Sequence, residues 1–167
     1  MSRAVLVGMP GVGKTTVGRL LATRLDCEFL DLDLLLEEAV GVSAAAFIRE
    51  NGEQAFREAE YTALRVALQT DAVVSCGGGT VTYEPSRELL KKHPCVLWLT
   101  APLDTLENRV AGGDRPLLGT HPAEALASLW EDRRPLYESV ASAAVNSDRP
   151  PLEVVDELLD YVGKLSS

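Results

Sequence analysis

Aromatic residues make up only 5% of this 167-residue chain, which also holds just three cysteines and two histidines. Cys27, Cys76, Cys95, His93 and His121 form no Cys-x-x-Cys pair and no metal-ligand spacing. A disulfide framework and a structural zinc site are therefore excluded, and three free thiols in a reducing cytosol are expected. No unbroken apolar run exceeds five residues (Ala44–Ile48 and Cys95–Leu99), far short of the roughly 20 that a bilayer span needs. The first apolar stretch, Ala4–Val7, runs straight into a Gly-rich loop and is too short for a signal-peptide core. The expectation is a soluble, cytoplasmic protein with no membrane partner. Basic residues are scarce as well: 16 Lys and Arg stand against 25 Asp and Glu, a formal charge of −9. A nucleic-acid binder carries a basic face, so that class is excluded. Any anionic ligand must be gripped by a local cluster of cations on an acidic body.

What is present suits an ordinary folded domain. Hydrophobic residues reach 46% and charged ones 25%, which rules out a disordered chain. The length fits one compact domain, expected here over residues 1–167. Short apolar runs alternate with amphipathic stretches throughout. Strands are expected at Ala4–Val7, Glu28–Asp31, Ala72–Ser75, Cys95–Thr100 and, more weakly, Ser142–Asn146. Between them, three-and-four spacing marks helices: one from about Lys14 through Val17, Leu20, Leu21 and Leu25, then Leu34–Val40, a short one capped by Ser43, Glu53–Gln69 and Ser86–Lys92. Two more follow Pro102 and Leu152. This alternation predicts an α/β fold, a three-layer sandwich around a five-stranded parallel sheet with ligands at the carboxyl ends of the strands. Ala111–Pro122, rich in Gly and Pro and without periodicity, reads as a mobile loop between two helices.

The sharpest motif is Gly8-Met9-Pro10-Gly11-Val12-Gly13-Lys14-Thr15, a full G-x-x-x-x-G-K-[ST] between a strand and a helix. Glycines let successive N–H groups turn inward around phosphate oxygens, and the following helix aims its positive end at the same anion. Lys14 adds a point charge for the outer phosphates and Thr15 a hydroxyl ligand for Mg²⁺. The motif marks a nucleoside triphosphate site. Asp31-Leu32-Asp33 closes the second strand, where a two-residue period would point both carboxylates the same way. One could serve a metal and the other an acceptor hydroxyl, or one could cap the next helix.

Together with the phosphate loop and Asp31-Leu32-Asp33, four further segments resemble the shikimate kinase family in order and spacing. They are Gly52-Glu53-Gln54-Ala55-Phe56-Arg57, Gly77-Gly78-Gly79, Arg115-Pro116-Leu117-Leu118 and Arg133-Arg134-Pro135-Leu136-Tyr137. The likeness covers nearly the whole chain and implies a P-loop kinase fold. It also implies transfer of the ATP γ-phosphoryl group to the 3-hydroxyl of shikimate, with Mg²⁺, in aromatic amino acid biosynthesis. By that resemblance Lys14, Asp33 and Arg115 are catalytic, Asp33 as the base and Arg115 on a closing lid over 111–122. Gly11, Val12, Gly13, Lys14, Thr15 and Thr16 hold the phosphates, Arg109 and Pro151 flank adenine, and Thr15 and Asp31 hold the metal. Arg57 and Arg133 grip the substrate carboxylate, a planar anion that a guanidinium fork suits, with Glu60 orienting an arginine. Gly77, Gly78 and Gly79 offer bare backbone to the substrate. The motif spacing picks Arg133 over its neighbour Arg134. Relatives carry Ile-Phe before the Gly-Glu segment, with Phe at the substrate. Here the order is Phe47-Ile48, and either residue could line the pocket. A related kinase acting on gluconate or a nucleoside monophosphate would share the cradle but lack the G-E-x-x-F-R and R-x-P-L-Y set. The chain is expected to act as a monomer.

Overall fold

In the computed structural model, which describes residues 1–110 and 122–167, Ala4–Val7 forms β1 and is buried along its whole length. A strand with both faces covered belongs in mid-sheet. It pairs in parallel with β3 (Ala72–Ser75) on one side and β4 (Val96–Thr100) on the other, Val5 lying opposite both Val74 and Val96. The edges are β2 (Glu28–Asp31) and β5 (Ala143–Asn146), and the order is β2-β3-β1-β4-β5, all parallel. Edge position explains why Val145 alone is fully buried in β5 while Ala144 and Asn146 face solvent.

Helices cover both sides of the sheet. After β1 comes α1 (Lys14–Leu25), which packs against α8 (Pro151–Leu165). Across the sheet, α5 (Glu84–Lys91) meets α7 (Pro122–Val140), which also contacts α6 (Leu103–Val110). A third group, α2 (Leu32–Val40), α3 (Ala44–Asn51) and α4 (Glu53–Ala67), clusters around α4. The core runs between these layers, with Leu6, Leu21, Leu64, Leu97, Leu106 and Leu158 at 0% exposure.

The expected α/β sandwich is what forms, with local corrections that have local causes. Asp33 is not on β2. The strand stops at Asp31, whose carboxylate accepts from the Asp33 and Leu34 amides and so caps α2. The helix therefore starts at Leu32, ahead of the expected Leu34. Similarly, α5 begins at Glu84 because Pro85 tolerates a first-turn position. The end of α4 tightens after Ala67, where the Gln69 and Thr70 amides bond three residues back to Val66 and Ala67. Pro122, expected to close a loop, opens α7 instead. The rest of the expected lid lies outside the described residues.

Gly18 sits inside α1, where alanine normally favours a helix by about 1 kcal/mol. Here a Cβ would come within 2.4 Å of the Phe29 ring and 3.1 Å of Leu6. Gly18→Ala is therefore expected to destabilise the protein by about 1–3 kcal/mol, measurable as a lowered urea midpoint with unchanged slope.

Candidate active site

Leaving β1, the chain turns through Gly8 (φ 151°), Gly11 (φ 82°) and Gly13 (φ 102°) into α1. A Cβ on Gly8 would sit 2.6 Å from the Leu99 carbonyl oxygen, so only glycine lets the loop leave the sheet this close to β4. Lys14 folds back over the loop, its Nζ donating to the carbonyl oxygens of Gly8 (2.6 Å) and Met9 (3.0 Å). Thr15 Oγ1 donates to Asp31 Oδ2 at 3.2 Å while Asp31 Oδ1 caps α2. One carboxylate thus fixes the start of a helix and meets the loop hydroxyl. Hydroxyl and carboxylate oxygens suit a hard cation such as Mg²⁺. Among the described residues no group of three or more His, Cys, Asp or Glu gathers to hold a metal alone. The pair fits an ion whose remaining ligands come with a phosphate.

Gly11, Val12, Gly13, Lys14, Thr15 and Thr16 all border a cleft of about 1080 Å³, and so do Arg109 and Pro151. Arg109 Nη1 donates to the Gly11 (3.3 Å) and Val12 (3.2 Å) carbonyls, bracing the loop from α6. Pro151 is the first residue of α8.

The other half of the cleft is organised by Gly77-Gly78-Gly79, directly beyond β3. A Cβ on each glycine would clash with or crowd a different neighbour. On Gly77 it would lie 2.6 Å from Asp33 Oδ1 and 3.0 Å from Glu60 Oε2. On Gly78 it would meet Pro10 Cδ at 2.8 Å and Arg133 Nη1 at 3.2 Å. On Gly79 it would meet Arg57 Nη2 at 2.2 Å. Asp33, Arg57 and Arg133 therefore converge on one bare turn, and that turn also touches the phosphate loop.

Arg57 is 5% exposed and its Nη1 pairs with the buried Glu60 at 3.0 Å, one helical turn on. Its Nη2 reaches the exposed Glu53 at 3.4 Å, and the other Glu60 oxygen accepts from Thr80 Oγ1 at 2.9 Å. Arg57 Nε is buried without a partner among the described residues, so the guanidinium is one acceptor short. Phe56 lies beneath Arg57, ring centroid 5.2 Å from Cζ, and Phe47 backs Phe56 at 6.2 Å. Ile48, not Phe47, lines the cleft. The aromatic has become the support and the aliphatic residue the wall. Arg133 is buried and Arg134 exposed.

Tyr137 closes the R-x-P-L-Y motif, and the sequence gives it no role. It is fully buried, its hydroxyl donating to the Gly78 carbonyl at 2.6 Å, and it stacks on Trp98. Burial pushes its phenol up to about 12, against the pull of the neighbouring Arg133. Its four-residue offset from Arg133 on one helix was the available signal. Thr80 and Ser147 carried none, being ordinary turn residues in sequence. Arg115 lies outside the described residues.

Burial pushes the Asp33 carboxyl up to about 6, reinforced by the charges of Glu60 and Asp31 and opposed by Lys14. Asp33 is open to the cleft, yet protein surrounds its carboxyl on most other sides. Cys76, on the cleft floor, is buried and its thiol is held far above the ordinary range, first by burial and then by Glu60.

The shikimate kinase family model matches residues 10–163. The chain belongs to the shikimate kinase family. It is 42% identical to the shikimate kinase of Corynebacterium jeikeium over 96% of its own length and 88% of that protein's. It is 43% identical to that of Corynebacterium efficiens over 95% of both. Among solved structures, shikimate kinase from Acinetobacter baumannii in complex with shikimate superposes with a TM-score of 0.90 at 32% identity, covering 96% of this chain and 93% of that one. A gluconokinase from Sinorhizobium meliloti reaches 0.62 at 21% identity over 97% of this chain and 92% of that one, a likeness of fold alone. The chain is thus an enzyme of the shikimate kinase family with a P-loop kinase fold.

A carboxyl held near 6 binds its proton more tightly folded than unfolded, so its contribution favours the fold at low pH and is lost as pH rises through about 6. Asp33→Asn removes that dependence. Without ligands, the Asn variant is expected to melt at a higher temperature than the parent at pH 8. The gap should narrow as pH is lowered to 5 in thermal denaturation scans.

Proposed function

We propose that this chain moves the γ-phosphoryl group of ATP to the 3-hydroxyl of shikimate, giving shikimate 3-phosphate and ADP. The observation that carries this reading is the meeting of Asp33, Arg57 and Arg133 on a glycine turn that also contacts the phosphate loop through Pro10. A carboxylate that can take a proton, two guanidinium groups for one planar acid and a triphosphate cradle are the groups such a transfer needs.

Each residue then has a definite task. The loop amides and the α1 N-terminus hold the phosphates, and Lys14 leaves the Gly8 and Met9 carbonyls to meet the outer ones. Arg57 and Arg133 bind the shikimate carboxylate, Glu60 keeping Arg57 in place. The ring hydroxyls lie against Gly77–Gly79 with one of them on Asp33. Asp33 orients that hydroxyl and takes its proton as the oxygen bonds to the γ-phosphorus and the bond to the β-phosphate oxygen breaks. Thr15 and Asp31 would hold Mg²⁺, which supplies charge neutralisation between the phosphates when bound. Arg109 and Pro151 border the adenine, and Arg115 neutralises the moving phosphoryl group, roles that rest on the resemblance. The complex with shikimate known for the Acinetobacter relative supports the choice of acceptor. The charge problem is met locally: Lys14, Arg49, Arg57, Arg109, Arg133 and Arg149 border the cleft against Asp31, Asp33, Glu37 and Glu60, a positive excess on a chain of net charge −9. No described helix is long and apolar enough to cross a membrane, and the enzyme acts in this reading as a cytoplasmic monomer without nucleic acid.

The deciding experiment is a coupled ADP-release assay with ATP and Mg²⁺, run with shikimate, with gluconate and with no acceptor. Release that requires shikimate is expected; release with gluconate but not shikimate would reverse the assignment. Lys14→Met should lose most turnover while circular dichroism stays native. Arg133→Ala should raise KM for shikimate about ten- to hundredfold, the equivalent of a charged hydrogen bond worth roughly 1.5–3 kcal/mol, with little change for ATP. Since kcat/KM reports groups of the free enzyme, its shikimate value should fall as pH drops below about 6, where Asp33 gains its proton.

A further inference from the structure

The stretch between β5 and α8 contains a hydroxyl to which neither the sequence motifs nor the mechanism gives a task. Ser147 is 4% exposed and its Oγ donates to the Val12 carbonyl oxygen at 2.7 Å, a bond that spans 135 residues of chain. Its amide is already committed to the Thr100 carbonyl at 2.7 Å, which fixes the residue at the carboxyl end of β4. The hydroxyl also lies 3.1 Å from that Thr100 oxygen, but it has a single proton and the shorter contact is to Val12.

Val12 is the middle of the phosphate loop, held between Gly11 at φ 82° and Gly13 at φ 102°. Its carbonyl and the Gly13 amide belong to one planar trans peptide and point in opposite directions. A donor that fixes the carbonyl therefore fixes where the Gly13 N–H aims. Two donors do so here: Ser147 Oγ from the β5 side and Arg109 Nη1, at 3.2 Å, from α6. They differ in kind. Arg109 is an exposed, long side chain with two carbonyls to serve, while Ser147 is short, buried and anchored through its own backbone.

We propose that Ser147 is a positioning residue for the nucleotide phosphates, its hydroxyl holding the Val12–Gly13 peptide so that the Gly13 N–H faces the anion. This deepens the assignment of the cleft to a nucleoside triphosphate and rests on that reading. The loop's glycines leave this peptide free to rotate, so the constraint must come from outside the loop. Ser147 supplies it from a segment that also borders the cleft beside Pro151, and the same contact ties the base side of the site to the phosphate side.

Ser147→Ala and Ser147→Thr test this against a plain structural role. The Ala variant is expected to raise KM for ATP about three- to tenfold, the worth of one neutral hydrogen bond, and to leave KM for shikimate unchanged. The inhibition constants of ADP and GDP should rise by the same factor, because the change acts on phosphate and not on the base. Thr, which keeps the hydroxyl, should restore the parent values. An unchanged KM for ATP, an equal rise for both substrates, or a rise for ADP without GDP would overturn the proposal. Parent turnover with ATP and shikimate tests the underlying reading separately.

Discussion

Side chains from three helices reach one cleft because the turn after β3 presents no Cβ atoms to stop them. Asp33 comes from α2, Arg57 from α4 and Arg133 from α7; a Cβ on Gly77 or Gly79 would overlap Asp33 or Arg57, and one on Gly78 would overlap Pro10 and crowd Arg133. The turn owes its place to β3, buried between β2 and β1, so the sheet order brings it beside the loop that follows β1. Two loops that leave adjacent strand ends can share a ligand pair.

Around that turn the protein accepts electrostatic cost for geometry. Arg57 and Glu60 are both buried and paired, an arrangement that adds little stability over an apolar pair of the same size but fixes direction. Thr80 donates to the second Glu60 oxygen, the one that lies beside Asp33 across Gly77. Glu60 nonetheless raises Asp33 through space, and Lys14 only partly offsets it. A carboxyl held near 6 is more basic than a solvated one and still ionised at neutral pH, which suits the proton-accepting role proposed for it. On the phosphate-loop side, the Gly8 and Met9 carbonyls hold the Lys14 ammonium over the loop.

The sheet, the helix order and the phosphate loop were legible in the sequence because each rests on a local rule: buried strands read as apolar runs, helices as three-and-four spacing, the cradle as spaced glycines. Element ends were less so, since they depend on caps. Asp33 could be read as continuing β2 until the carboxylate of Asp31, the last strand residue, was seen to hold the Asp33 and Leu34 amides. The arginines were legible only through the family pattern; nothing local marks Arg57 as buried and Arg65 on the same helix as exposed. Ile48 in place of Phe47 at the cleft wall follows from α3 packing on α4, where Phe47 meets Phe56. Tyr137 and Ser147 act through backbone carbonyls 59 and 135 residues away, pairings that no local pattern encodes.

Cys76 lies on the floor of the cleft, the one cysteine among the residues that border it. An electrophilic drug fragment carried into this enzyme would encounter sulfur there, but sulfur as a buried, protonated thiol rather than a thiolate. Oxidants and alkylating reagents that discriminate by nucleophilicity are expected to react with it slowly, so a covalent ligand for this cleft would have to be aimed at another side chain.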